Sequence, residues 1–188
     1  LNKLFYWTRN QDFPRIIQHL QTYTSFNLNT KYPETGETLL MVAARSGNEK
    51  VVQFLLEKEQ LLLTLKNKAG ESALQIAGRS NHFAVVNLLL KDSRMHIYES
   101  NLSSLLVKAS KKGQIETVRL LLQKCVSVNA DDGYSTSLKE AVLAGNTEMV
   151  KLLLSAPLIS IDTVFYSTTN YLSDYSSLTE IAEKGYLE

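Results

Sequence analysis

Four stretches of this chain are variations on one pattern: TLLMVAARSGNEKVVQFLL from Thr38, SALQIAGRSNHFAVVNLLL from Ser72, SLLVKASKKGQIETVRLLL from Ser104 and TSLKEAVLAGNTEMVKLLL from Thr136. Their starts are spaced by 34, 32 and 32 residues. A unit that returns at a fixed short period constrains the fold more than any other feature, because each copy must pack on its sequence neighbours. The ending SSLTEIAEKGYLE fits as a fifth copy from Ser176, after a longer step of 40 residues. Near the start, LFYWTRNQDFPRIIQHL is a worn copy in which Ile16 and Leu20 stand where Val52 and Leu56 stand in the first complete one.

Each unit reads as two short helices. In the Thr38 copy, Leu40, Ala43 and Ala44 share one face at helical spacing, and Gly47 ends the first helix where a positive φ is usually wanted. Val51, Val52, Leu55 and Leu56 form the buried side of the second. Helices of about ten residues are too short to stand alone in water, where roughly 12–15 residues are needed even for marginal stability. Stacking on the next pair must therefore bury the stripe. A small residue returns at Ala43, Ala77, Ala109 and Ala141, which implies close helix approach there. Between units come polar, turn-forming stretches such as NTKYPETGET, LKNKAGES and VNADDGYST. The spacing predicts an all-α solenoid with helix pairs beginning near Thr38, Ser72, Ser104 and Thr136.

Composition sets limits on the remaining classes. The 188 residues are 44% hydrophobic and 21% charged with a net charge of +1, so charge balance offers no argument for nucleic acid or for a membrane surface. Apolar runs such as FAVVNLLL at 83–90 fall far short of the ~20 residues that cross a bilayer. No segment has the layout of a secretory signal, although a first residue of Leu is compatible with a trimmed N-terminus. The single cysteine, Cys125, cannot form an internal disulfide, and a reducing, cytoplasmic setting is expected.

The period of about 33 residues and the helix-turn-helix unit resemble ankyrin repeats. GETLLMVAARSGNEKVVQFLLEK (36–58) and VNADDGYSTSLKEAVLAGNTEMVKLLL (128–154) match best. The resemblance implies an ankyrin-type solenoid with turn fingers, a single domain over 1–188. Its parts would be a worn repeat at 1–37, repeats at 38–71, 72–103, 104–135 and 136–175, and the start of a further one at 176–188. The last of the four carries an insertion at about 155–175. The family's T-P-L-H signature is altered: its proline is replaced by Leu39, Ala73, Leu105 and Ser137, and its histidine by Met41, Gln75, Val107 and Lys139. An irregular, less cooperative stack is expected from those losses.

Candidate chemistry is sparse. His19, His82 and His96 occupy unrelated repeat positions, and His82, just after a turn, reads as a hydrogen-bonding residue at a helix start. Cys125 stands in a turn slot with no histidine near it in sequence, and a plain turn substitution is the reading preferred over a reactive thiol. No phosphate loop, metal-ligand spacing or nucleophile elbow occurs, so no catalytic, cofactor or metal residue is assigned.

Ankyrin arrays bind proteins through the concave face of fingers and first helices, and the resemblance implies that use here. On that face the residue two before the turn is Arg9, Arg45, Arg79 and Lys111 in successive copies, then Leu143 and Glu183, with Lys112 beside the series. Stacked repeats would line these four cations up as a ladder. The alternative is a set of solvated helix ends, where a cation gains ~0.3–1 kcal/mol from the C-terminal dipole. Finger tips add Tyr32, Glu34, Lys66, Lys68, Tyr98 and Tyr134, and exposed tyrosines suit an interface. LFYW at 4–7 reads as a buried cap on the first complete repeat. The long segment 155–177 reads either as a partner's docking strand or phosphorylated loop, or as a plain linker.

Two uses fit this pattern. One is a protein-interaction module, monomeric, whose partner presents an acidic surface. The other is the substrate-recruiting arm of a larger enzyme, of a channel, or of a secreted bacterial effector acting in host cytosol. Leu178, Ile181 and Ala182 in the fifth copy call for a second helix beyond Glu188, so a continuation of the chain is expected.

Overall fold

Thr38, Ser72 and Thr136 begin helices for one local reason: each hydroxyl accepts the otherwise unpaired backbone N–H three residues on. The acceptances are from Met41 at 3.3 Å, Gln75 at 3.4 Å and Lys139 at 3.3 Å. Gln75, at one of the family's histidine positions, completes a reciprocal cap by accepting the Ser72 N–H at 3.0 Å. Asn48 and Asn146 start second helices in the same way, accepting from Val51 at 3.2 Å and Met149 at 3.0 Å.

A computed structural model of the chain describes residues 2–23, 26–95, 102–124, 126–127, 129 and 135–156. Among them are ten helices: α1 (Asn2–Arg9), α2 (Phe13–Thr22), α3 (Leu39–Ser46), α4 (Glu49–Leu56), α5 (Ala73–Arg79), α6 (Phe83–Lys91), α7 (Leu102–Lys111), α8 (Ile115–Gln123), α9 (Ser137–Leu143) and α10 (Thr147–Leu154). The chain divides into two compact units, Leu1–Ile97 and Tyr98–Glu188. In the first, α1, α3 and α5 pack side by side as one layer, and α2, α4 and α6 as another; in the second, α7 packs on α9 and α8 on α10. This is the all-α repeat solenoid expected from the period.

The seam between first helices runs along the small residues. Ala43, Ala77, Ala109 and Ala141 are each fully buried. Leu40, Leu74, Leu106 and Leu138 fill the space one turn earlier, and Val52, Val86, Val118 and Val150 do so in the second helices. Each such aliphatic side chain contributes about 1.5–3 kcal/mol on burial, far more than the few tenths by which helix propensities differ between these residues. Packing, not propensity, makes these short segments helical. At the N-terminal end Leu4 and Phe5 are buried, Trp7 is half-buried and Tyr6 is exposed, so LFYW is a cap with one side chain left outside.

One boundary differs from the sequence reading. α7 begins at Leu102, two residues ahead of Ser104. Leu102 is buried along with Leu105 and Leu106, the three- and four-residue neighbours on its own stripe, and that burial draws the helix back by half a turn.

The turn position is left-handed in all five copies described: Gln11, Gly47, Asn81, Gly113 and Gly145 have φ between 58° and 67°. Asn tolerates that region, and Gln11 is held there while its side-chain amide donates to the Ser46 carbonyl at 2.7 Å. At Gly47 a side chain is excluded twice over, by φ and because an added Cβ would lie 2.5 Å from the His82 ring. That ring is not a helix cap. Its Nε2 donates to the Arg45 carbonyl at 3.0 Å, so His82 ties its own repeat to the last turn of the preceding first helix.

Further polar links cross between repeats of the first unit. The Lys31 ammonium donates to the Lys66 carbonyl at 2.6 Å, Lys68 N–H to the Thr35 carbonyl at 3.0 Å, and Asn29 exchanges bonds with Gln60 and Leu62. The densest is Arg94. Its guanidinium donates to the carbonyls of Leu56 at 2.6 Å and Lys58 at 2.8 Å, which end α4, while Asp92 holds it at 2.7 Å. Hydrogen bonding to Asp92 raises the Arg94 pKa against the opposing effect of burial, so the clamp stays charged.

Arg94→Ala should lower the stability of the first unit by about 1–3 kcal/mol, the range for removing hydrogen bonds to a charged group. Urea unfolding followed by Trp7 fluorescence reads this, and Arg94→Lys should recover less than half, because an ammonium cannot span the same acceptors. An unchanged midpoint would mean water replaces the clamp. Gly47→Ala should cost more than Gly145→Ala, which has the same sign of φ but open space around it. The latter is expected near ~1–2 kcal/mol from backbone handedness alone. In a His82→Ala background the excess at Gly47 should shrink, and equal costs in both backgrounds would refute the steric account.

Candidate partner-binding face

Arg45 and Arg79 end their helices with the backbone dipole in their favour, but each is also held by an acid from the base of its own finger. Arg45 donates through Nε to Glu37 Oε1 at 3.0 Å and pairs with the same oxygen through its terminal nitrogen. Arg79 pairs with Glu71 at 3.0 Å. In both repeats the glutamate lies eight residues before the arginine and directly before the capping Thr38 or Ser72. Glu37 is 5% exposed in its side chain and Arg45 39%, so the acid is the sheltered partner and the cation the outward one. Lys111, in the second unit, pairs instead with Glu140 of the following repeat at 3.0 Å, since Ser103 occupies the position eight residues back.

Arg9 is different. The residue eight before it is Leu1, and among the described residues its guanidinium has no carboxylate partner. Arg9, Arg45, Arg79 and Lys68 line one open cleft of about 490 Å³ together with Glu37 and Glu71. The three ladder cations of the first unit therefore do converge, and the finger residue Lys68 joins them. Arg9 also lines an adjoining cleft of about 500 Å³ with Phe5, Tyr6, Tyr32, Glu34 and Val42.

The other sequence-derived candidates are placed as follows. Tyr32 is half-buried, its ring centroid 5.3 Å from that of Phe5, so it packs on the α1 cap while keeping one edge in the cleft. Glu34, Lys66 and Lys68 are exposed. Lys112 is exposed beside Lys111, and Leu143, at the ladder position of the next copy, is 59% exposed. Tyr98, Tyr134, His96, Cys125, most of the 155–177 segment and the fifth copy at 176–188 lie outside the described residues. No helix among the described residues is long and apolar enough to cross a membrane.

Sequence reasoning missed Glu37, Glu71 and Glu140, which decide how much of the ladder's charge is available. The signal was present: GET and GES precede the two helix starts, each with an arginine eight residues on. Arg94 was missed because its acceptors are backbone carbonyls 35 or more residues away, which no residue type announces.

The model of the family "Ankyrin repeats (3 copies)" matches residues 4–101 and 94–164. No curated protein matches the chain. Among solved structures, an ankyrin repeat domain from Acinetobacter baumannii AYE is 25% identical with a TM-score of 0.67, over 98% of this chain and 92% of that one. A chain from the complex of a predatory endopeptidase of Bdellovibrio bacteriovorus with an immunity protein is also 25% identical, with a TM-score of 0.65, over 82% of this chain and 80% of that one. With the family pattern running through most of its length and neighbouring helix pairs packed on one another within each unit, this chain belongs to the ankyrin-repeat family.

Proposed function

We propose that this chain binds a partner protein through the face made by its first helices and fingers. Ankyrin repeats are generally protein–protein interaction modules. The observation that carries the reading for this chain is the open cleft on which Arg9, Arg45 and Arg79, from three successive repeats, converge with the finger residue Lys68. Four cations and two acids leave that cleft net positive within a chain whose overall charge is +1, which favours a partner surface bearing carboxylates. Lys66 and Glu34 extend the face along the fingers, and Lys111, Lys112 and the exposed Leu143 provide the corresponding surface of the second unit. The similarity to a chain from a peptidase–immunity protein complex supports a folded protein as the partner.

A photo-crosslinking residue placed at Lys66 on a finger should yield a protein-sized adduct in the cells the chain comes from. The same residue at Gln53, exposed on the second helix α4, should not. Adducts from Gln53 alone, or from neither site, would overturn the reading.

A further inference from the structure

The cations of the first unit's face fall into two kinds. Arg45 and Arg79 are each committed to a glutamate, whereas Arg9 and Lys68 have no carboxylate partner among the described residues. All four line the same cleft, so a ligand meets two neutralised sites and two open ones. Arg9 stands where the two clefts meet, with the aromatic cleft of Phe5, Tyr6 and Tyr32 on its other side. Tyr6 is 65% exposed there, a large amphipathic ring left outside an otherwise buried cap.

We propose that Arg9 and Lys68, not Arg45 and Arg79, are the anion anchors of this face, and that they hold an acidic segment of the partner whose carboxylates flank an aromatic side chain seated beside Phe5, Tyr6 and Tyr32. The proposal rests on the reading of this face as partner-binding and specifies the partner's chemistry. An incoming carboxylate at Arg45 must compete with Glu37, which is already desolvated and in place, so it gains little. At Arg9 it replaces water, and the guanidinium's planar fork can take it with two parallel hydrogen bonds. Lys68 supplies a second positive charge across the cleft, from a finger whose backbone is fixed by the Lys68 N–H to Thr35 carbonyl bond. The aromatic cleft is lined by Lys3 and Arg9 against Glu34 and Glu37, so its charges balance, whereas the cleft that Arg9 shares with Lys68 is net positive and draws the acidic residues. An aromatic ring suits the other cleft, where offset or edge contacts to Tyr6 and Tyr32 are available.

The test is a titration of the isotopically labelled full chain with the peptide acetyl-Glu-Glu-Phe-Glu-Glu-amide, followed by NMR of backbone amides and arginine Nε–H groups. The all-glutamine analogue serves as control. The Arg9 Nε–H, the amides around Tyr6 and those of the Lys68 finger should shift, and the glutamine analogue should bind at least about tenfold more weakly, as for lost charge-assisted bonds. Arg9→Gln and Lys68→Gln should each weaken binding roughly three- to tenfold and flatten its salt dependence. The double variant Glu37→Gln with Arg45→Gln, which removes a neutralised pair, should leave affinity within about twofold, and Glu37→Gln alone should raise it by freeing Arg45. Shifts centred on Arg45 and Arg79, or a double variant as weak as Arg9→Gln, would overturn the assignment of anchors while leaving a partner-binding face intact. A peptide that shifts nothing would overturn the acidic-aromatic segment, and crosslinks from Lys66 would still report whether the face binds a protein.

Discussion

Within each unit the fold depends on the close approach of neighbouring first helices at buried alanines. Helices of seven to ten residues have no independent stability, and the methyl groups of Ala43, Ala77, Ala109 and Ala141 permit the approach that buries the leucines beside them. A larger side chain at any of these positions would hold neighbours apart and expose two stripes at once. The seam also sets the spacing of everything attached to it. Because the first helices of a unit lie side by side, the residues at their C-terminal ends and the fingers at their N-terminal ends fall in rows within that unit, and a row of like residues becomes a surface.

The family signature is altered in every complete copy, and in the first unit several polar contacts hold the helices and join the repeats. Gln75 closes a cap that Ser72 opens, His82 reaches back to the Arg45 carbonyl, and Arg94 draws together the carbonyls that end α4. These ties differ in kind. The cap is local and could be rebuilt in any helix, whereas His82 and Arg94 each join repeats more than 30 residues apart in sequence. They also demand exact companions, as the fit of Gly47 beneath the His82 ring illustrates.

The period, the helix faces and the capping residues were legible in the sequence because each depends on residues within a few positions of one another. Ile16, Val51, Val52, Leu55 and the alanine series were read as core and are buried, whereas Leu56, read with them, is half-buried near the end of α4. The start of α7 was read two residues late because Ser104 was placed by register with Thr38, Ser72 and Thr136, and the pull of a buried Leu102 depends on packing that the repeat pattern does not contain. The ladder was visible as a row of cations, but its electrostatic state was not. Whether a cation is available depends on an acid eight residues away across a finger, outside the three- and four-residue spacing at which helix pairs are usually sought. Where the acid comes from the following repeat, as Glu140 does for Lys111, no fixed spacing exists to be found.

Committed and open cations on one face have different thermodynamic consequences. A cation already paired with a sheltered carboxylate brings rigidity and repels little, but a new partner must compete for it, so it contributes shape more than charge. An open cation contributes the long-range field that speeds encounter and the local attraction that selects an acid, and both weaken with salt. Glu37 and Glu71 hold Arg45 and Arg79 in ion pairs, and under the proposed reading the open anion attraction is left to Arg9 and Lys68. Repeats of nearly identical backbone can in this way present distinct chemistry, because exchanging a single acid at the base of one finger changes what the neighbouring first helix offers without touching the seam that holds the stack together.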